Sequence, residues 1–187
     1  MIGMRKSYKS AKHVILIFFT ILTLMIPTKY SLADNESTIG FIIEANQMEG
    51  TPLGMLLAVG ETTDEKARPM LELKFADSSV NGLKIKKLVK TQNGIVTTKI
   101  ISNEMVHFQT LTLKVSNAEF KDIYVPELGK IGFHDIKLLA HNVETNAANL
   151  PQFVLEFETG DTLELQPKNE QELQTIKNTL ENLFTPS

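Results

Sequence analysis

Apolar side chains recur at every second position in six separate stretches: Phe41/Ile43/Ala45, Leu71/Leu73/Phe75, Leu83/Ile85, Leu111/Leu113/Val115, Ile136/Leu138 and Phe153/Leu155/Phe157. Period two sends successive side chains to opposite faces of an extended chain, so each stretch reads as a strand with one apolar face. Helical spacing occurs once, near the end, where Leu173, Ile176, Leu180, Leu183 and Phe184 recur at three and four residues. Asn169 with Glu172 three residues later can satisfy the first free N–H groups as a capping box, which predicts a helix over about residues 170–184, with Pro186 beyond it. The expected fold is all-β: antiparallel strands from roughly 39 to 166, arranged as stacked rungs or a sandwich, with one C-terminal amphipathic helix. That helix is expected against an end or an open edge of the sheet, where it would shield unpaired strand groups.

The first 33 residues follow another logic. Arg5, Lys6, Lys9 and Lys12 precede a largely apolar run of uncharged residues at 14–26, Pro27 ends it, and the small-residue pattern Ser31-Leu32-Ala33 follows. These are the three regions of a secretory signal peptide, with cleavage expected after Ala33. A run this short rises about 20 Å as a helix, less than the roughly 30 Å of a bilayer's hydrocarbon core, which takes about 20 residues to span. The chain has no Cys, which removes both a lipid-modified Cys at the cleavage site and any disulfide. The expected product is a single β-rich exported domain, residues 34–187, secreted or extracytoplasmic, without a transmembrane segment after processing. It is long enough to bury a core without cross-links. The long Lys-rich leader suggests a Gram-positive host.

Charge narrows the partners. Five of the 19 Lys and Arg residues precede the first acid, Asp34, so residues 34–187 carry 14 basic against all 22 acidic side chains, a net −8. Nucleic acid is therefore not an expected partner, since its phosphates need clustered cations. The one basic cluster, Lys84, Lys86, Lys87 and Lys90, lies in a strand-like stretch and reads as a solvated strand face, with an anionic envelope polymer or lipid head group as the alternative contact.

Residues 71–88 align without gaps to 111–128 at an offset of 40, pairing Leu71/Leu111, Leu73/Leu113, Phe75/Val115, Val80/Phe120 and Leu88/Leu128. Small-then-polar pairs recur beside it at Ala45-Asn46, Ser102-Asn103 and Ala140-His141. β-rungs turning at the polar residue would produce this internal repeat and place Phe75, Val115, Val80 and Phe120 in one core layer, whereas amphipathic strands also match one another by chance. In residues 153–165, a loop centred on Gly160 would pair Phe157 with Leu163 and Leu155 with Leu165, leaving Glu156 opposite Glu164. The acids Glu156, Glu158, Asp161 and Glu164 then read as a solvated hairpin face, because no calcium-loop spacing is present.

Chemistry is sparse. None of the serines from Ser37 onward has a neighbouring Gly, so the strained nucleophile elbow of a hydrolase has no candidate. His107, His134 and His141 lack zinc-ligand spacing and read as surface histidines. There is no phosphate loop, no identifiable glycosidase carboxylate pair, and after processing no Trp and only Tyr124 for sugar stacking. No cofactor, metal or catalytic residue is expected, and the protein is read as a non-enzyme.

Apolar residues instead crowd the stretch from Met48 to Val59, where alternation fails; this implies either a strand buried on both faces or the wall of an apolar ligand site. Met48, Leu53, Met55 and Leu57 are the candidate ligand-binding residues.

The segments FIIEANQMEG, LELKFADSSVNGLKI, TLTLKVSNAEFKDIYV and GFHDIKLLAHNVETNAANLPQFVLEF together resemble an exported protein family widespread in actinobacteria, of unknown function and sometimes labelled cholesterol esterase. Ala45–Gly50 and the Leu150-Pro151 step carry the resemblance best, and the closing helix from Asn169 falls outside it. The family implies no site residues here, and its esterase label meets no nucleophile. A more distant architectural likeness is to the β-rung proteins that conduct lipopolysaccharide between membranes, which implies an apolar groove. The functional expectation is an exported, non-enzymatic envelope protein that binds a lipid or other apolar molecule; the alternative is a structural or protein-interaction component of the cell surface. A cavity of several hundred Å³ lined by residues 48–59 would favour the first, a filled core with a flat, strand-edged face the second.

Overall fold

The computed structural model describes residues 37–149, 151–160 and 163–183. The expected signal peptide and its cleavage site lie outside these residues, as do Phe184 and Pro186. All described strands belong to one antiparallel sheet, and a single helix follows them, as the alternation and the capping box predicted.

The sheet is organised around β1, Ser37–Gly60, whose 24 residues take different partners along their length. On one side, β2 (Arg68–Asn81) pairs with residues 47–60 and β3 (Lys84–Thr91) with residues 37–44, so β2 and β3 run one after the other along the same edge. Gly82 makes that continuation possible. It sits at φ +67°, and a Cβ there would collide with the Asn46 side chain.

β4 (Gly94–Ser102) pairs with β3, and β5 (Val106–Glu119) returns to pair with β2. The short β6 (Asp122–Tyr124) lies against β7 (Ile131–Glu144). β7 pairs with β5 on one edge and with residues 41–50 of β1 on the other. Strands β1, β2, β5 and β7 thus close into a ring, in which residues 41–50 of β1 have neighbours on both sides while the rest of β1 beyond Gly50 pairs with β2 alone among the described residues. β8 (Ala147–Asn149) pairs with the start of β5, and β9 (Phe153–Gly160) pairs with β4. The strands β3, β4 and β9 therefore project from the ring as a wing.

The interior of the ring is the main core. Leu71, Leu73 and Phe75 of β2 face Val115, Leu113 and Leu111 of β5, and Ile131, Phe133, Ile136 and Leu138 of β7 complete it. The helix α1, Glu170–Glu181, carries the predicted capping box at Asn169 and Glu172. It buries Leu173 and Leu180 in this same core, packed over β1, β2 and β5. A second, smaller cluster of Ile42, Leu88, Leu139 and Leu165 sits on the opposite face of the sheet.

Three expectations are corrected by this arrangement. The pairs Ala45-Asn46 and Ala140-His141 lie inside strands, so no rung turns there. The second halves of the offset-40 segments diverge: Leu88 is buried while Leu128 is fully exposed. Phe75, Val80 and Val115 are buried, and Phe120 is half-buried against the same core. Finally, β9 pairs with β4 instead of folding back onto residues 163–165, which form no strand.

Candidate functional site

The wing brings together the largest set of exposed apolar side chains among the described residues. Opposed residues on adjacent antiparallel strands point to the same face, and the register makes a continuous row from Ile43 of β1 through Ile85 and Ile100 to Leu155 of β9. Ile43 is in the core, whereas Leu155 is 51% exposed. A parallel row runs from Phe41 through Lys87 and Thr98 to Phe157, which is 69% exposed, and Phe153 beside Ser102 is 56% exposed. The face that is interior within the ring thus continues outward to the edge of the sheet, where none of the described residues covers it. Phe108 and Val143, at the end of the ring away from α1, lie along the same apolar surface as Ile85.

The ring itself is filled. Among the described residues, the apolar voids near Leu180 and behind Phe108 and Val143 measure only about 10 Å³ and about 40 Å³, too small for anything beyond a water or two. The four residues singled out from the sequence do not converge on a shared cavity. Met48 is buried in the core, Met55 and Leu57 are half-buried against it, and Leu53 points to solvent at 63% exposure. Alternation fails between Met48 and Val59 because the register slips around Pro52. A bulge shifts the phase of side chains, so the crowded apolar stretch is a partly exposed strand, not one buried on both faces.

The opposite face of the wing is charged. Lys86 Nζ lies 2.9 Å from Glu44 and 2.9 Å from Glu164, and Lys137 reaches Glu164 at 3.0 Å. Hydrogen bonds from Lys86 and Lys137 hold the Glu164 carboxyl down at about 2. Burial disfavours the Lys86 charge, but the two carboxylates outweigh it and raise its pKa. Glu158 pairs with Lys99 on the neighbouring strand, and Glu156 stands opposite Lys99. The acidic hairpin face expected from the sequence is therefore two separate sets of ion pairs, with Asp161 outside the described residues. The lysine cluster is likewise divided: Lys86 is buried and paired, Lys84 pairs with Glu44 at 3.3 Å, and Lys87 points to the apolar face.

No catalytic constellation emerges among the described residues. Ser116 Oγ stands 2.7 Å from His141 Nε2, a distance suited to a nucleophile and its base. Ser116 is completely buried within the sheet, however, and no substrate could reach it. The Ile39 carbonyl accepts from His141 Nδ1 at 3.0 Å, so Nε2 is left to accept from the serine. Burial lowers the pKa of this half-buried histidine, which departs from the expected surface position. His134 stacks on Tyr124 at 4.5 Å between ring centroids, and His107 lies 2.9 Å from Ser79 Oγ. No group of three His, Asp or Glu among the described residues is placed to hold a metal ion. No described helix is long and apolar enough to cross a membrane.

One open depression of about 830 Å³ flanks the second core cluster, floored by Ile39, Ile95 and Leu163 and rimmed by Asp64, Lys90 and Gln166. Sequence reasoning missed both this depression and the wing surface. Alternation in Phe153/Leu155/Phe157 identifies an apolar strand face, but nothing in the sequence states whether another layer covers it.

Comparison with family models, with curated proteins and with solved structures gives no match.

Proposed function

We propose that this is an exported, non-enzymatic interaction component of the cell envelope that works by strand pairing and apolar contact at the β9 end of the wing. The observation that carries this reading is the row Ile43–Ile85–Ile100–Leu155, which leaves the core and runs to a strand edge that, among the described residues, is neither covered nor paired. Apolar surface of this kind, rimmed by charge, is what binding faces present, and a free edge supplies backbone donors and acceptors for an incoming strand. A filled ring supports an interaction role over a carrier that encloses its ligand.

Binding of an apolar or amphiphilic molecule is the second reading, supported by the depression over Ile39, Ile95 and Leu163. Native mass spectrometry of protein purified from its host separates the two. The interaction reading expects lipid-free protein in complexes that Phe153→Ser with Phe157→Ser dissolves. Monomeric protein carrying reproducibly extracted lipid would overturn it.

A further inference from the structure

We infer that the strand added at β9 is β9 of a second copy, paired antiparallel about a two-fold axis through Leu155; this rests on the interaction reading and names its partner.

The two long free edges of the described sheet differ in how they are protected. Among the described residues, 52–60 of β1 pair only with β2, and this stretch opens at Pro52 and Gly54, where the β1–β2 register shifts twice and kinks the strand, features that discourage addition of a further strand. Among the described residues β9 pairs only with β4, in unbroken register from Phe153 to Gly160. It contains no Pro and no Lys. Its outer edge is long and regular, with Phe153, Leu155 and Phe157 on one face and Glu156 and Glu158 on the other, so addition of another strand is favoured only in a register that keeps those carboxylates apart.

The sequence of β9 selects the register. With Leu155 facing Leu155 of the second copy, Phe153 faces Phe157 twice, and all three apolar side chains continue the same face across the junction. On the charged face, Glu156 then lies opposite Val154, so no carboxylate meets another. Sliding by one step in either direction about the axis is worse. Centring on Glu156 opposes two carboxylates directly, which is destabilising across strands. Centring on Val154 places Phe157 against Pro151, beyond the strand. Self-complementarity about a single residue is the property a closed two-fold interface requires.

The chain has no native Cys, so single-cysteine variants report the geometry directly. Directly opposed antiparallel residues lie about 4.5–5.5 Å apart between Cα atoms, within the span a disulfide bridges. Under mild oxidation Leu155→Cys should cross-link to a dimer. Phe153→Cys and Phe157→Cys should each stay monomeric alone but cross-link when mixed, because 153 and its own copy lie about 13 Å apart along the strand. Val59→Cys, equally exposed on β1, is the control that should not cross-link. Cross-linking of Glu156→Cys or Val154→Cys in place of Leu155→Cys would overturn the register. A folded Leu155→Cys variant that remains monomeric would overturn self-pairing. If host-derived complexes still depend on Phe153 and Phe157 in that case, the interaction reading stands and only the choice of partner fails; if they do not, both fail.

Discussion

Lys86 Nζ lies 2.9 Å from Glu164 Oε2 and ties the segment after β9 to the charged face of the sheet. Glu164 sits only one residue from Leu165, which is buried in the second core cluster, so the ion pair and the apolar contact hold the same short segment.

This pairing predicts acid sensitivity. The Glu164 carboxyl is held at about 2, below its ordinary value of 4.5. A depressed carboxylate contributes stability that is present above the unfolded value and is lost as pH falls from about 4.5 towards 2. Urea midpoints measured between pH 5 and pH 2.5 should fall more steeply for the native chain than for Glu164→Gln. Equal slopes would show that the pair adds nothing to stability. Glu44, also lowered by its lysines after opposing burial, should leave part of the slope in the variant.

A second pH effect lies higher. His141 is neutral in the fold, its pKa lowered chiefly by burial. The unfolded chain takes up a proton near 6.5 while the folded site resists it, so stability should decline as pH falls from about 7.5 through 6.5. Unfolding at pH 7.5 and pH 5.5 should show this loss in the native chain. His141→Asn should be weaker at pH 7.5 yet nearly flat over that window.

Core position separates two aromatic residues that occur in the offset-40 segments. Phe75 is 1% exposed inside the ring, whereas Phe120 is half-buried with its ring 5.7 Å from that of Phe133. Phe75→Ala should cost about 3–5 kcal/mol, as large core truncations do. Phe120→Ala should cost about 1–2 kcal/mol, from partial burial and one aromatic pair. Denaturant unfolding with unchanged m-values would measure both; equal losses would contradict the difference in burial.

Thr110 has φ +54°, where β5 changes partners from β8 to β7. A β-branched residue in the left-handed region is strained by about 1–2 kcal/mol. Thr110→Gly should therefore be neutral or stabilising by up to about 1 kcal/mol. Thr112→Gly, two residues along the same strand, should lose about 0.5–1 kcal/mol in the usual way. A loss at both positions would mean that Thr110 is not strained.

Local periodicity made the strands legible, together with the helix from its Asn169–Glu172 cap, because these depend on neighbours in sequence. Pairing was not legible. Phe157 opposite Leu163 satisfied the side-chain period, but β4 offers Lys99 for Glu156 and Glu158, and that long-range charge match cannot be seen in a hairpin-sized window. The failed alternation after Met48 had a local cause, Pro52 and Gly54, yet bulge and two-sided burial look alike until the partner strand is known. The wing surface was the least legible of all, since exposure is decided by the absence of a covering layer.

The pairing of β1 sets an order in which the molecule opens. Residues 41–44 are held between β3 and β7, and 47–50 between β2 and β7; their amides can exchange with solvent only when the ring itself breaks. Among the described residues β9 hangs by a single ladder and can peel away at far lower cost, as outer elements with one neighbour do. The region that would meet a partner is thus free to adjust its twist while the ring stays shut, and an added strand would slow hydrogen exchange along β9 while leaving residues 41–50 unchanged.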